Sequence, residues 1–212
     1  IFKILLVFPM KGVFGKNLTS KLMKSRFKSL FATFRSRGYC PWLLGKIDFA
    51  VTLVRWTRQR WDLRGYDASE WIKFSDDPEK LVRWVFESNG GALAPLQLRA
   101  ELIDFAKLVN SHSPQTVLEL GTARGGTFLT LCRMSSDEAL IISVDLPFGR
   151  GGGGYPKWKE PILRSFAKPL QTIELLRADS HLDQTVEQVR NLLGDRQFDL
   201  IFIDADHSYT GA

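Results

Sequence analysis

A glycine-rich turn within residues 117–127, which read VLELGTARGGT, limits what this chain can fold into more than any other feature. The apolar run ends at Glu119, glycines follow at positions 121, 125 and 126, and Thr127–Met134 has the pattern of a helix. This order predicts a strand, a tight loop and a helix N-terminus. Such a junction presents unpaired backbone N–H groups and the positive end of a helix dipole to an anionic or polar ligand. We call Glu119–Gly126 the glycine loop.

The spacing of these glycines, GxxxGG, differs from two common nucleotide-binding sequences. Dinucleotide folds use GxGxxG, and P-loops use Gly-Lys-Ser or Gly-Lys-Thr. Glycine permits a sharp turn and a close approach of a ligand to the backbone. A turn with a purely structural role is the alternative at this point.

The rest of the second half alternates between strands and helices. Apolar runs predict strands at Thr116–Leu120, Leu140–Asp145, Thr172–Arg177 and Phe198–Asp204, with helices near 127–134, 158–167 and 182–193. Strands that are apolar throughout and separated by helices indicate a parallel sheet covered on both faces. We therefore expect the first four strands of a doubly wound, Rossmann-like α/β sheet. Ligands of such sheets bind at the carboxyl edge of the strands.

Two predicted strands end in an aspartate. Asp145 closes the second strand, 24 residues after Gly121, where a carboxylate can accept hydrogen bonds from the vicinal hydroxyls of a ribose. It can equally cap the following segment. Asp179, followed by Ser180 and His181, ends the third strand. Asp179 is suited either to an adenine amino group or to capping a helix that starts near Leu182.

The fourth strand ends in the sequence DADHSY, which begins at Asp204. Carboxylate oxygens suit Mg²⁺, and the imidazole of His207 suits a general base near neutral pH. The alternative is a turn in which Asp206 caps the next helix.

The first 91 residues are predicted to be mostly helical and basic, and their role is unknown. Residues 1–65 hold 14 Lys and Arg against 2 Asp and Glu, although the whole chain carries only +6. Apolar residues recur at helical spacing between 22 and 34 with basic residues between them. This pattern favours contact with an anionic membrane or a partner, or an ordinary surface helix. Nucleic acid is not expected, because no recognised binding motif accompanies the charge.

Further helices are predicted near 47–61, 79–87 and 95–110, with Asp77-Pro78 as a helix start. Because Asn89-Gly90-Gly91 breaks the chain, we place a domain boundary there, between residues 1–91 and 92–212.

The two cysteines, Cys40 and Cys132, stand alone, which gives neither a disulfide framework nor a zinc site. Cys132 lies in an apolar helical segment and is expected in the core. A reducing, cytoplasmic setting fits. The chain starts without Met and stops soon after the fourth predicted strand, so we expect a fragment.

Four motifs carry a family resemblance: LELGTARGGT, SVDLPFGRGGGGYPKW, LLRADSH and FDLIFIDADHSYTGA. In this order and at this spacing, residues 92–212 resemble class I S-adenosylmethionine-dependent methyltransferases. They are most similar to the branch with macrocin-type sugar O-methyltransferases and cephalosporin hydroxylase-like proteins. The first 90 residues carry no such resemblance.

The resemblance implies roles for individual residues. Asp145 would hold the ribose, Asp179 and Ser180 would border the adenine, and Asp204 would bind Mg²⁺ with His207 as the base. The methionine part of the cofactor would lie in the glycine loop, against Glu119, Gly121, Thr122, Ala123 and Gly125.

The resemblance thus implies an enzyme that methylates a hydroxyl of a sugar, glycolipid or secondary metabolite with S-adenosylmethionine, assisted by Mg²⁺. The alternatives are a hydroxylase-like enzyme and an inactive, membrane-associated binding domain. The acceptor would be a small molecule or glycan, and a homo-oligomer and peripheral membrane contact are compatible with it. The glycine run 151–154 is interpreted as a mobile loop over the site or as a surface loop.

Overall fold

A parallel sheet of five strands forms the centre of the structure. The computed structural model of the chain describes residues 4–7, 41–64, 66, 69–74, 77–147 and 154–205. The strands are β1 (Ile4–Val7), β2 (Thr116–Leu120), β3 (Leu140–Asp145), β4 (Thr172–Arg177) and β5 (Leu200–Ile203). Their order across the sheet is β1-β5-β2-β3-β4, and all pairs are parallel.

Seven helices are described. They are α1 (Pro41–Asp62), α2 (Ser69–Ile72), α3 (Pro78–Glu87), α4 (Arg99–His112), α5 (Gly126–Met134), α6 (Glu160–Arg164) and α7 (Asp183–Leu193). Short 3-10 turns cover Ser88–Gly91 and Lys157–Lys159. The single helix predicted near 158–167 is therefore a 3-10 turn followed by a five-residue helix. Asp77 starts α3 as predicted, because its carboxylate accepts the Lys80 N–H at 3.0 Å and Pro78 begins the first turn.

Both faces of the sheet are covered by helices, which confirms the doubly wound α/β fold. Alternate strand residues point to opposite faces. On one face, the strands pack on helices α3 to α6 through the core cluster that contains Val117, Ile141, Ile173 and Phe202. On the other face, Leu118, Ile142 and Val144 pack with Val189 and Leu192 of α7. Each fully buried aliphatic side chain stabilises such a core by about 1.5–3 kcal/mol.

Strand β1 is a sheet element that the sequence pattern does not predict. Residues 4–7 pair with β5 in the register Ile4 to Leu200 through Val7 to Ile203. A run of four apolar residues suits a strand, and the outer edge of β5 offers unpaired N–H and C=O groups to it. The N-terminal region is thus not only helical, and β5 is the second strand from the edge.

The hydrophobic core continues across the predicted domain boundary at residues 91 and 92. Leu63, Leu81 and Val85 belong to the same buried cluster as Leu102 and Phe128. The boundary itself stays a prediction, but the side chains of α3 and the sheet domain share one core. The chain does break at the predicted position: Asn89, Gly90 and Gly91 all have positive φ.

The predicted amphipathic helix at 22–34 and most of the glycine run 151–154 lie outside the described residues. Within the described ranges, no helix combines the length and the apolar character needed to cross a bilayer.

Candidate functional site

The carboxyl ends of three strands meet around Gly121. In the sheet, Leu120 of β2 pairs with Val144 of β3 on one side and with Ile203 of β5 on the other. The residues that follow these two, Asp145 and Asp204, therefore flank Gly121. Since the chain leaves β2 toward β3 and later returns on the opposite side as β5, this is the switch point at which open α/β sheets bind ligands.

Glycine is required at position 121 because the loop crosses the end of β5 in direct contact. Gly121 has φ +94°, and a Cβ atom there would lie 2.3 Å from the Asp204 carbonyl oxygen. Gly125 has φ +87°, and its Cβ would lie 2.7 Å from Leu163 Cδ2. Ala123 adopts φ +44° between them. The glycines thus let the loop pack closely on both the sheet edge and α6.

The Asp145 side chain binds the backbone of the glycine loop. Its Oδ2 accepts the backbone N–H of Ala123 at 2.7 Å and of Thr122 at 3.1 Å. Burial raises the pKa of Asp145, although these N–H groups, and those of Leu146 and Gly154, lower it in part. The carboxylate at the end of β3 therefore organises the loop itself, and the ribose contact predicted for it stays a prediction.

Glu119 is a fully buried carboxyl beneath the loop. Its Oε2 accepts the Thr122 hydroxyl at 2.7 Å, and that hydroxyl also contacts Ser143 Oγ. Among the described residues, Oε1 of Glu119 has no hydrogen-bond partner. Burial raises the pKa of Glu119 well above its usual value, and the negative charges of Asp145 and Asp204 raise it further. The protonated form of Glu119 is therefore favoured more strongly in the folded protein than in the unfolded chain.

On the other side of the loop, Asp204 accepts a hydrogen bond from Gln97 Nε2. Gln97 Oε1 in turn lies 3.4 Å from the Thr127 hydroxyl in the first turn of α5. Sequence reasoning does not find Gln97, because it lies in an irregular segment 107 residues before Asp204. The side-chain amide of Gln97 thus connects the segment before α4 with the end of β5.

The Mg²⁺ prediction gains no support from the site. Within the described residues, no three His, Cys, Asp or Glu side chains come together in a way that would hold a metal ion. Asp206 and His207, the other acid and the proposed base, lie outside the described residues, so the role of His207 stays a prediction.

A cleft of about 490 Å³ lies between the ends of β3 and β4 and the start of α7. Its wall includes Leu146, Pro147, Asp179 and Leu182. The Asp179 carboxylate accepts the His181 N–H at 3.0 Å and contacts the His181 ring, and that N–H lowers its pKa. It does not cap α7, whose N-cap is Leu182. Ser180 lies half-buried in the same turn.

The segment after the glycine run contributes two buried side chains that sequence reasoning misses. Lys159 is fully buried, and its Nζ donates to the Arg124 carbonyl of the glycine loop at 2.6 Å. Burial lowers the pKa of Lys159 well below its usual value. Tyr155 is also fully buried, and its hydroxyl has no partner among the described residues. A lysine is expected at the surface. In residues 155–159, which read YPKWK, only the two aromatic residues therefore indicate that the segment is buried.

Substitution of Gly121 should test the contact that shapes the loop. We expect Gly121→Ala to lower the free energy of unfolding by about 4 kcal/mol, since it adds a clash with backbone to a strained φ. Gly90→Ala is the control, because Gly90 has φ +63° but open space around its Cβ position. It should cost only about 1–2 kcal/mol. Denaturant titration measures both, and equal losses would contradict the contact.

The raised pKa of Glu119 should be visible in the pH dependence of stability. A carboxyl whose pKa is raised in the folded state binds more protons folded than unfolded, so the stability it contributes falls as pH rises above about 4.5. Glu119→Gln should remove this fall, by up to about 1.4 kcal/mol per pH unit. Denaturant titrations between pH 5 and 8 measure it. The exposed Glu138→Gln is the control, and a Glu119→Gln profile that parallels the wild type would refute the assignment.

Part of the chain is similar to known proteins. Residues 118–212 match the family model described as a methyltransferase domain. Among solved structures, an O-methyltransferase from Bacillus cereus in complex with SAH is similar at 21% sequence identity and a TM-score of 0.39. That similarity covers 60% of this chain and 55% of the solved one, so the chain spans about half of its length. No curated protein sequence matches. The match to this family model covers somewhat less than half of the chain.

Proposed function

We propose that the protein transfers the methyl group of S-adenosylmethionine to a hydroxyl oxygen of a sugar, a glycolipid or a secondary metabolite. The observation that carries the proposal is the arrangement of Glu119, Asp145 and the glycine loop at the switch point of the sheet. It offers a buried carboxyl, a carboxylate at the end of the next strand and a loop of backbone N–H groups within one crevice. The family match of residues 118–212 supports the same reaction class.

The donor set fits the cofactor. Glu119 Oε1 is buried and has no partner in the described part of the chain, and the α-ammonium group of the methionine moiety is a complementary donor. A cation next to a buried carboxyl favours the ionised form of that carboxyl. The Asp145 carboxylate suits the ribose hydroxyls. The cleft between Leu146 and Leu182, with the half-exposed Asp179 on its wall, suits the adenine ring.

The reaction needs an electrophilic carbon and a proton acceptor. S-adenosylmethionine supplies the carbon when bound: the hydroxyl oxygen bonds to the methyl group, the sulfur–carbon bond breaks, and the hydroxyl proton leaves. We propose that His207 takes this proton, since an imidazole titrates near neutral pH. Asp204, fixed by Gln97 next to Gly121, would orient the hydroxyl of the acceptor. Because the described residues do not assemble a Mg²⁺ site, we assign no step to a metal.

Isothermal titration calorimetry tests the choice of cofactor. We expect S-adenosylmethionine to bind and NAD not to bind. Asp145→Asn should weaken S-adenosylmethionine binding about 10- to 100-fold, because a hydrogen bond to a charged group contributes about 1.5–3 kcal/mol. The amide oxygen of this variant can still accept the loop N–H groups. The exposed Asp195→Asn is the control. Absence of S-adenosylmethionine binding, or equal binding of NAD, would overturn the proposal.

Methyl transfer to a panel of sugars, glycolipids and hydroxylated small molecules tests the chemistry. His207→Ala should lower the turnover number about 100- to 10,000-fold, the range of general base catalysis, while S-adenosylmethionine still binds. The loss should be smaller at high pH, where more of the acceptor is ionised. Full activity of the variant would exclude His207 as the base and leave the cofactor assignment intact.

A further inference from the structure

Helix α1 presents an apolar face to solvent. Leu53, Val54 and Trp61 are 42%, 69% and 66% exposed, respectively. At about 100° per residue, these three positions fall within an arc of about 100° on one side of the helix. We call them the α1 apolar face.

The opposite side of α1 is fixed to the domain, so the orientation of the apolar face is defined. Thr52 is only 3% exposed, and Leu63, just after the helix, is buried in the core. Gln59 Nε2 donates to the Ala92 carbonyl at 2.6 Å. The exposed large side chains therefore face outward as a consequence of packing on the other side.

Arginines border the α1 apolar face. Arg58, Arg60 and Arg64 are all exposed, and the Arg64 guanidinium lies 4.3 Å from the centroid of the Trp61 ring. Arg58 also pairs with Asp62 at 3.7 Å. The surrounding sequence has the same sign, with 14 basic and 2 acidic residues among the first 65. An apolar, tryptophan-containing face with a basic border is the composition of helices that lie in a lipid interface.

We propose that the α1 apolar face docks the protein onto an anionic lipid surface. Charge complementarity favours this occupant, since arginines near a negatively charged leaflet are attracted to it. A second copy of the chain is disfavoured, because it would bring two basic borders together. Trp61 and the arginine stems would lie at the level of the headgroups, with Leu53 and Val54 below them.

Co-sedimentation with vesicles, in the absence of S-adenosylmethionine, tests the docking. The protein should bind vesicles that contain phosphatidylglycerol, bind phosphatidylcholine vesicles at least about tenfold more weakly, and be released by high salt. Val54→Glu should reduce binding about tenfold or more. Leu170→Glu, at an equally exposed apolar residue in the turn before β4, is the matched control and should bind like the wild type. Arg60→Gln with Arg64→Gln should weaken binding and flatten its salt dependence.

Three results would overturn the docking. The first is wild-type protein that binds neither kind of vesicle, and the second is a Val54→Glu variant that binds as well as the wild type. The third is a dimer in light scattering that Val54→Glu dissociates, which would assign the face to a second copy. Circular dichroism of each variant establishes that the fold is kept, and failure of S-adenosylmethionine binding would leave the vesicle result unaffected.

Discussion

The structure depends on the contact between the backbone of Gly121 and the backbone at Asp204. Only a residue without a Cβ atom lets the loop after β2 pass so close to the end of β5. The pairing of the strands brings their ends together, so that Glu119, Asp145 and Asp204 surround one point although 85 residues separate the first from the last. A wider loop would let water reach Glu119, and the burial that raises the pKa of this carboxyl would be lost.

The crevice combines carboxyl groups with backbone N–H donors. Three carboxyl groups share the switch point, and Glu119 and Asp145 are buried there. Because burial and the neighbouring negative charges raise the pKa of Glu119, its ionised form is disfavoured unless a positive group lies beside it. Lys159 donates to a carbonyl and forms no ion pair among the described residues. In the proposed function, the ammonium group of the cofactor would be that positive group.

The sequence predicts those strands and site residues that a local pattern of apolar residues determines. It does not predict those whose position depends on packing between distant segments. Strands β2, β3 and β4 begin and end where the apolar runs do, because both faces of a parallel strand are buried. Asp145 and Asp204 are recognisable since they directly follow such runs. Gln97, Tyr155 and Lys159 are not, because each reaches the site from a segment without periodicity. Strand β1 is missed for a similar reason: four apolar residues predict a strand only when the free edge of β5 is known.

The first turn of α5 shows how far the sheet domain depends on the residues before residue 92. A Cβ atom at Gly126 would lie 2.2 Å from the Leu93 carbonyl oxygen and 2.7 Å from Val85 Cγ1. The wall behind the glycine loop is therefore built by α3 and the turn that follows it. A version of the domain grafted into another protein from residue 92 onward would lack Val85, and a void would open behind the glycine loop. The unit that can be transplanted intact begins before Pro78, within the region that the family motifs do not reach.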